Sequence, residues 1–293
     1  MLMFKPEGII PAMITPFTEN DEINEQAIRQ LVNRFIDAGA HGIFCLGTNG
    51  EFFSLSYDEK VRIAEIVADE TKGRVAVYMG TGGISTKEVV KLSREMERLK
   101  IDALSVITPY FLPFSQKELL YHYHTLSAST SLPILLYNIP SRTGVSLEPN
   151  TVGELSKLPN IVGIKDSSGN FDNILQYLDR VDPDFSVLAG TDSLILWTLL
   201  AGGKGAIAAT ANLAPQLVVS IYECWKNGQI TDAQKFQNQL RPIRAAIQQG
   251  TLPSALKATM NMLGLPAGNA RAPVSPTSDK INEELLRLIK FTS

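Results

Sequence analysis

With 293 residues, 44% of them hydrophobic and 19% charged, the chain has apolar mass for a large core and is not compositionally disordered. That length suits one barrel-sized domain or two ordinary ones. A formal net charge of −3 provides no basic field for nucleic acid or an anionic membrane surface.

Short apolar, β-rich runs alternate along the chain with longer segments of helical period. The first run covers 9–14 and leads to a helix over 24–38 that stops at Gly39. The second strand is 42–46, and its helix opens with Ser56 and Glu59 in capping-box spacing. The third, 74–79, is followed by the same spacing in Ser85 and Glu88; the fourth, 103–107, by Ser115 and Glu118. Strands at 134–137, 161–165, 185–189 and 205–209 complete the series, with helices at 149–157, 170–178, 192–200 and 215–227. Each βα unit runs to roughly the 30 residues such a repeat needs.

Eight uniformly short strands predict an α/β fold of the (β/α)₈-barrel kind. An open sheet is disfavoured, because the only candidate dinucleotide loop, GTGG at 80–83, puts Ser85 where a third glycine belongs. Beyond Asn227 the segments 230–249, 253–263 and 279–289 read as helices alone, with APVSPTS (272–278) as a connector. Residues 1–228 are therefore assigned to the barrel and 229–293 to a C-terminal helical extension of the same domain.

No apolar stretch is long enough to span a bilayer, and the N-terminal MLMFKPEGII lacks the features of a signal peptide. Two widely separated cysteines, Cys45 and Cys224, read as packing thiols rather than a disulfide. A cytoplasmic location is expected, with no membrane and no nucleic-acid partner.

In such barrels the active site lies at the C-terminal ends of the strands. Those ends carry GTNGE (Thr48, Asn49, Glu51), TPYF (Thr108, Tyr110), YNIPSRTG (Tyr137, Arg142), IKDSSG (Lys165, Asp166) and AGTD. Lys165 closes the apolar run IVGIK, which directs it to the barrel mouth. A free lysine amine is protonated at neutral pH and a poor nucleophile; an amine withdrawn from water is more readily neutral and attacks a ketone to give an imine. Tyr137 offers a proton relay and Arg142 a two-pronged grip on a carboxylate. The amides of 47–50 with the Thr48 hydroxyl offer an anion nest. Singly, each has a plain structural explanation: a snorkelling lysine, a half-buried tyrosine, a surface arginine, a glycine turn. Their convergence on one end of one sheet favours chemistry. His122 and His124 lie two apart on a helix and face different ways, and His41 precedes the second strand, away from the mouth, so neither a metal nor a nucleotide is expected.

Together GTNGE, TPYF, YNIPSRTG, GIKDSSGN and AGTD, in this order and over residues 8–277, resemble the dihydrodipicolinate synthase / N-acetylneuraminate lyase family. The resemblance implies a barrel with a helical extension, class I Schiff-base aldolase chemistry on pyruvate without a cofactor, and a homotetramer built as a dimer of dimers. By position, Lys165 looks like the Schiff-base lysine, Tyr137 like the catalytic tyrosine, and Thr48 like the hydroxyl residue that binds the pyruvate carboxylate. Gly190 and Ile207 match positions whose backbone lines the pyruvate pocket. Arg142 resembles the carboxylate-gripping arginine of the synthase branch, which the sialic acid lyases typically lack.

Two departures shape the reading. Synthases resemble one another in a second threonine where this chain has Asn49, a substrate-binding position, and in a tyrosine contributed across the dimer where it has Phe111. Phenylalanine has no hydroxyl with which to relay a proton. GTNGE looks more like the loop of members that cleave 2-keto-3-deoxy sugar acids or hydroxy-oxo acids. The expected activity is accordingly a pyruvate aldolase using such an aldehyde partner, with 4-hydroxy-tetrahydrodipicolinate synthase as the alternative. A catalytically idle 2-oxo-acid-binding protein is the reading from outside enzymology.

Overall fold

Parallel strands cannot be joined by a tight turn, so each pairing requires a crossover, here supplied by the helices. The computed structural model describes residues 4–290 and contains β1 Gly8–Pro11, β2 Gly42–Cys45, β3 Ala76–Gly80, β4 Ala103–Ile107, β5 Ile134–Asn138, β6 Ile161–Asp166, β7 Ser186–Ala189 and β8 Gly205–Ala208. All pair in parallel, in the order β1-β8-β7-β6-β5-β4-β3-β2. The two ends of that order meet: Ala12 bridges Phe44, and the Met13 N–H donates to the Phe44 carbonyl at 2.9 Å. The sheet closes into the (β/α)₈ barrel expected from the eight repeats.

Alternation along the strands sorts the core into two layers. Ile10, Phe44, Tyr78, Ala103, Leu135, Leu188 and Ile207 pack inside the barrel. Their neighbours Ile9, Ile43, Val77, Leu104, Ile134, Val187 and Ala206 pack outward beneath the helices. Burying each large aliphatic side chain is worth roughly 1.5–3 kcal/mol, and a one-residue slip would exchange the two faces. This pattern therefore fixes which strand-end residues face the mouth.

The helices begin and end largely where the sequence places them. One differs: 192–200 divides into a 3₁₀ turn, Asp192–Leu194, and a helix, Ile195–Leu200. A four-residue helix, Pro140–Thr143, is too short to show a helical period in the sequence; Pro140 presets its first φ, and Gly144 ends it at φ 70°. Of the three expected capping boxes, those at Ser56/Glu59 and Ser115/Glu118 form. The third does not: Ser85, at ψ 121°, makes no capping bond, whereas Ser56 and Ser115, at 168° and 159°, do. The Thr86 hydroxyl in that turn instead meets Nδ1 of the buried His122 at 2.8 Å.

The C-terminal segment forms helices Ile230–Ile247, Ser254–Met262 and Asp279–Lys290. Gln237 ties the first of them to the barrel, accepting from the Leu196 N–H and donating to the Asp192 carbonyl, both at 3.0 Å. Among the described residues no helix is long and apolar enough to cross a membrane.

Replacing Ser56 by alanine should cost about 1 kcal/mol in urea unfolding, while Ser85→Ala should be near neutral. Burial pushes the His122 ring down from 6.5 to about 4. Folding thus favours the neutral ring: its contribution is complete above pH 6.5 and is lost as the pH falls towards 4. Between those limits the wild type should lose about 3 kcal/mol more stability than His122→Gln, measured by denaturant titration at each pH.

Candidate active site

The pairing of β5 with β6 is irregular at its start. Ile134 lies opposite Ile161, but Leu135 lies opposite Gly163, so the register shifts by one residue. The shift sets Tyr137 opposite Lys165 and Asn138 opposite Asp166. Register partners on adjacent strands share a face, so the first pair points into the barrel and the second outward.

Inside, Lys165 is only 4% exposed. Its Nζ sits 4.0 Å from the centroid of the Tyr137 ring and 5.0 Å from that of Phe44. The Tyr137 hydroxyl lies 3.2 Å from Oγ1 of Thr48. Outward, the Asp166 carboxylate accepts from Asn138 Nδ2 at 2.7 Å, from Asn173 Nδ2 at 3.1 Å and from the Ser168 hydroxyl at 2.5 Å. Burial raises the Asp166 carboxyl above its ordinary range, against these bonds, which lower it. This outer set anchors the strand ends, and with them the inner pair.

Lys165 and Tyr137 open on a cavity of about 520 Å³ at the C-terminal mouth of the barrel. Thr48, Asn49, Arg142, Gly190 and Ile207 line it as well, so the structure brings all seven sequence-selected residues together. Ala12, Phe44 and Ile207, from the inner barrel layer, form its floor. Gly190 is required by space: a Cβ there would lie 2.1 Å from Ser167 Oγ, 2.8 Å from the Asp166 carbonyl oxygen and 2.9 Å from Cε of Lys165. Among the described residues the N–H groups of Thr48 and Asn49 have no acceptor, which leaves them free for an anion.

Other residues of the wall lie outside the seven that the sequence points to. Asp192, buried in the AGTD motif, accepts from the Thr210 N–H at 2.7 Å and the Ala209 N–H at 3.3 Å, fixing the loop after β8. Arg244, Ile247, Gln248 and Leu252 come from the C-terminal extension. Asp192 stood at a strand end and was open to selection; nothing in the periodicity of 230–249 marks Arg244 as a cavity residue. Tyr110 and Phe111 do not line the cavity. Tyr110 packs edge-on against Phe52, while Phe111, at φ 83°, is 85% exposed. His41 accepts from the Ile9 N–H at the opposite end of the barrel, and among the described residues no cluster of His, Cys, Asp and Glu is placed to hold a metal.

The barrel and its relatives together define a (β/α)₈ enzyme of the class I lyase type. The sequence model of the Dihydrodipicolinate synthetase family matches residues 5–292, and the chain belongs to that family. It is 39% identical over 289 residues, 98% of this chain and 96% of the relative, to the 4-hydroxy-tetrahydrodipicolinate synthase of Methanopyrus kandleri. It is 38% identical over 277 residues, 94% of each chain, to 4-hydroxy-tetrahydrodipicolinate synthase 1 of Halalkalibacterium halodurans. Among solved structures, a prophage protein of the dihydrodipicolinic acid synthase family from E. coli K12, in complex with pyruvate, superposes with a TM-score of 0.94 at 32% identity over 98% of both chains.

Gly190→Ala should lower lyase activity on the order of 10²-fold by displacing Lys165, with the far-UV circular dichroism spectrum unchanged. Unaltered turnover would show that the lysine tolerates the added methyl group.

Proposed function

We propose that the chain condenses pyruvate with an aldehyde through an imine on Lys165, and that its reaction is that of 4-hydroxy-tetrahydrodipicolinate synthase, with aspartate semialdehyde as the partner. The observation that carries the chemistry is the placement of the buried Lys165 amine over the ring of Tyr137, whose hydroxyl reaches Thr48 at 3.2 Å. The pyruvate carboxylate is held by the Thr48 and Asn49 amides and the Thr48 hydroxyl. The amine attacks C2, water leaves, and Tyr137 relays the protons. Loss of a methyl proton gives the enamine, whose carbon adds to the aldehyde. Gly190 and Ile207 shape the pocket around the pyruvate carbons.

Full-length similarity to relatives named as synthases supports this choice of partner. So does the charge of the mouth: Arg142 and Arg244 line the cavity, among the described residues neither is ion-paired, and the Asp192 carboxylate in the same wall is taken up by the Ala209 and Thr210 N–H groups, which suits an aldehyde bearing a carboxylate. A second reading, aldolase action on a 2-keto-3-deoxy sugar acid or hydroxy-oxo acid, draws on Asn49 and on Phe111, which has no hydroxyl. A cytoplasmic homotetramer of paired dimers completes the proposal, on family resemblance.

Incubation with pyruvate and borohydride, followed by intact mass and peptide mapping, should place a reduced pyruvate adduct on Lys165. Lys165→Ala should give none, and Tyr137→Phe should slow imine formation on the order of 10²-fold. A folded wild type without adduct would sink the proposal. Turnover of the trapped-competent enzyme with aspartate semialdehyde, compared with glyceraldehyde, decides between the two aldehyde partners.

A further inference from the structure

We propose that the buried Glu51–Lys257 ion pair is a positioning device for the loop that holds the substrate carboxylate, setting affinity for the 2-oxo acid without touching it. This rests on the reading above, in which the Thr48 and Asn49 amides bind that carboxylate.

Glu51 ends the GTNGE loop in a left-handed conformation, φ 55°, which disfavours any residue with a Cβ and persists only where the surroundings impose it. Here the side chain does the imposing. The carboxylate is fully buried; Oε1 lies 2.6 Å from Lys257 Nζ, and Oε2 accepts the Arg271 N–H at 2.8 Å. Lys257, on helix Ser254–Met262 and 1% exposed, also donates to the Asn269 carbonyl at 3.0 Å and sits 4.2 Å over the Phe17 ring. The Arg271 guanidinium lies 4.2 Å from the same ring and pairs with Glu59 at 2.6 Å. Two segments of the extension thereby grip a single loop of the barrel.

Two more groups of that loop are held by hydrogen bonds. The Gly50 carbonyl accepts from Thr15 Oγ1 at 2.7 Å, and the Glu51 N–H donates to the Thr48 carbonyl at 3.2 Å. The Thr48 and Asn49 N–H groups stay free, on a cavity that neither Glu51 nor Lys257 lines. Desolvation opposes such a pair, and well-packed apolar residues often replace one without loss of stability. Burial pushes Lys257 down to about 8, in keeping with that opposition. What an apolar pair lacks is direction: it would fill the space but not hold the turn with its amides toward the cavity.

Lys257→Met keeps length and removes the charge; Glu51→Gln keeps an acceptor for the Arg271 N–H. In each, KM for pyruvate should rise at least about 10-fold while kcat at saturating pyruvate changes less than about 3-fold, the pattern of lost ground-state binding. The double variant should be no worse than the poorer single one, as for a coupled pair. Should Lys257→Met not fold, Glu51→Asp, which retains the charge but draws the carboxylate back by one methylene, should show the same rise in KM. An unchanged KM with a lowered Tm would overturn the proposal and leave the pair a stability element. Wild-type trapping by pyruvate is measured first: its failure removes the underlying reading, whereas normal trapping with unchanged KM in the variants overturns only the positioning role.

Discussion

Closure of the barrel is the constraint on which the site depends. Closure joins the ends of the strand order and so sets the residues after β2, β5, β6, β7 and β8 around one cavity; within it the interior strand β6 is held on both edges, with Lys165 opposite Tyr137 on one side and Leu188 on the other. It cannot slide against one neighbour without breaking register with the second. The one-residue shift between Ile134 and Leu135 acts within that constraint. Without it Ile164 rather than Lys165 would stand opposite Tyr137, and amine and phenol would face opposite sides of the sheet.

Strand alternation then divides the work between neighbouring residues. Lys165 and Tyr137 face inward, onto a floor that includes Phe44 and Ile207. Asp166 and Asn138, one position further along each strand, face outward and bond to each other and to the next helix. The Lys165–Tyr137 pair is thus supported through the backbone by groups that do not line the cavity. This arrangement leaves the amine free of any carboxylate partner among the described residues while its position is still defined.

The extension contributes in two ways that its amphipathic pattern does not announce. Helix Ile230–Ile247 and the turn after it supply one wall of the cavity, including Arg244. Lys257 and Arg271 reach back to the loop after β2. The wall of the cavity thus includes residues that follow the last strand of the barrel by several turns of helix.

Local pattern carried much of this in the sequence alone. Short apolar, β-rich runs and the glycine or capping signals between them place eight strands, and the C-terminal ends of those strands pick out Lys165, Tyr137, Thr48, Asn49 and Arg142; family resemblance adds Gly190 and Ile207. A side chain's place on a strand end is a property of its neighbours, so it can be read from them. Other features join distant parts of the chain. The Arg271–Glu51 bond spans 220 positions, the shift in register needs two strands side by side, and Ser85 makes no capping bond although its spacing to Glu88 matches that of the two caps that form. Such contacts are set when the closed barrel brings separate segments to one point, and only the tertiary structure decides them.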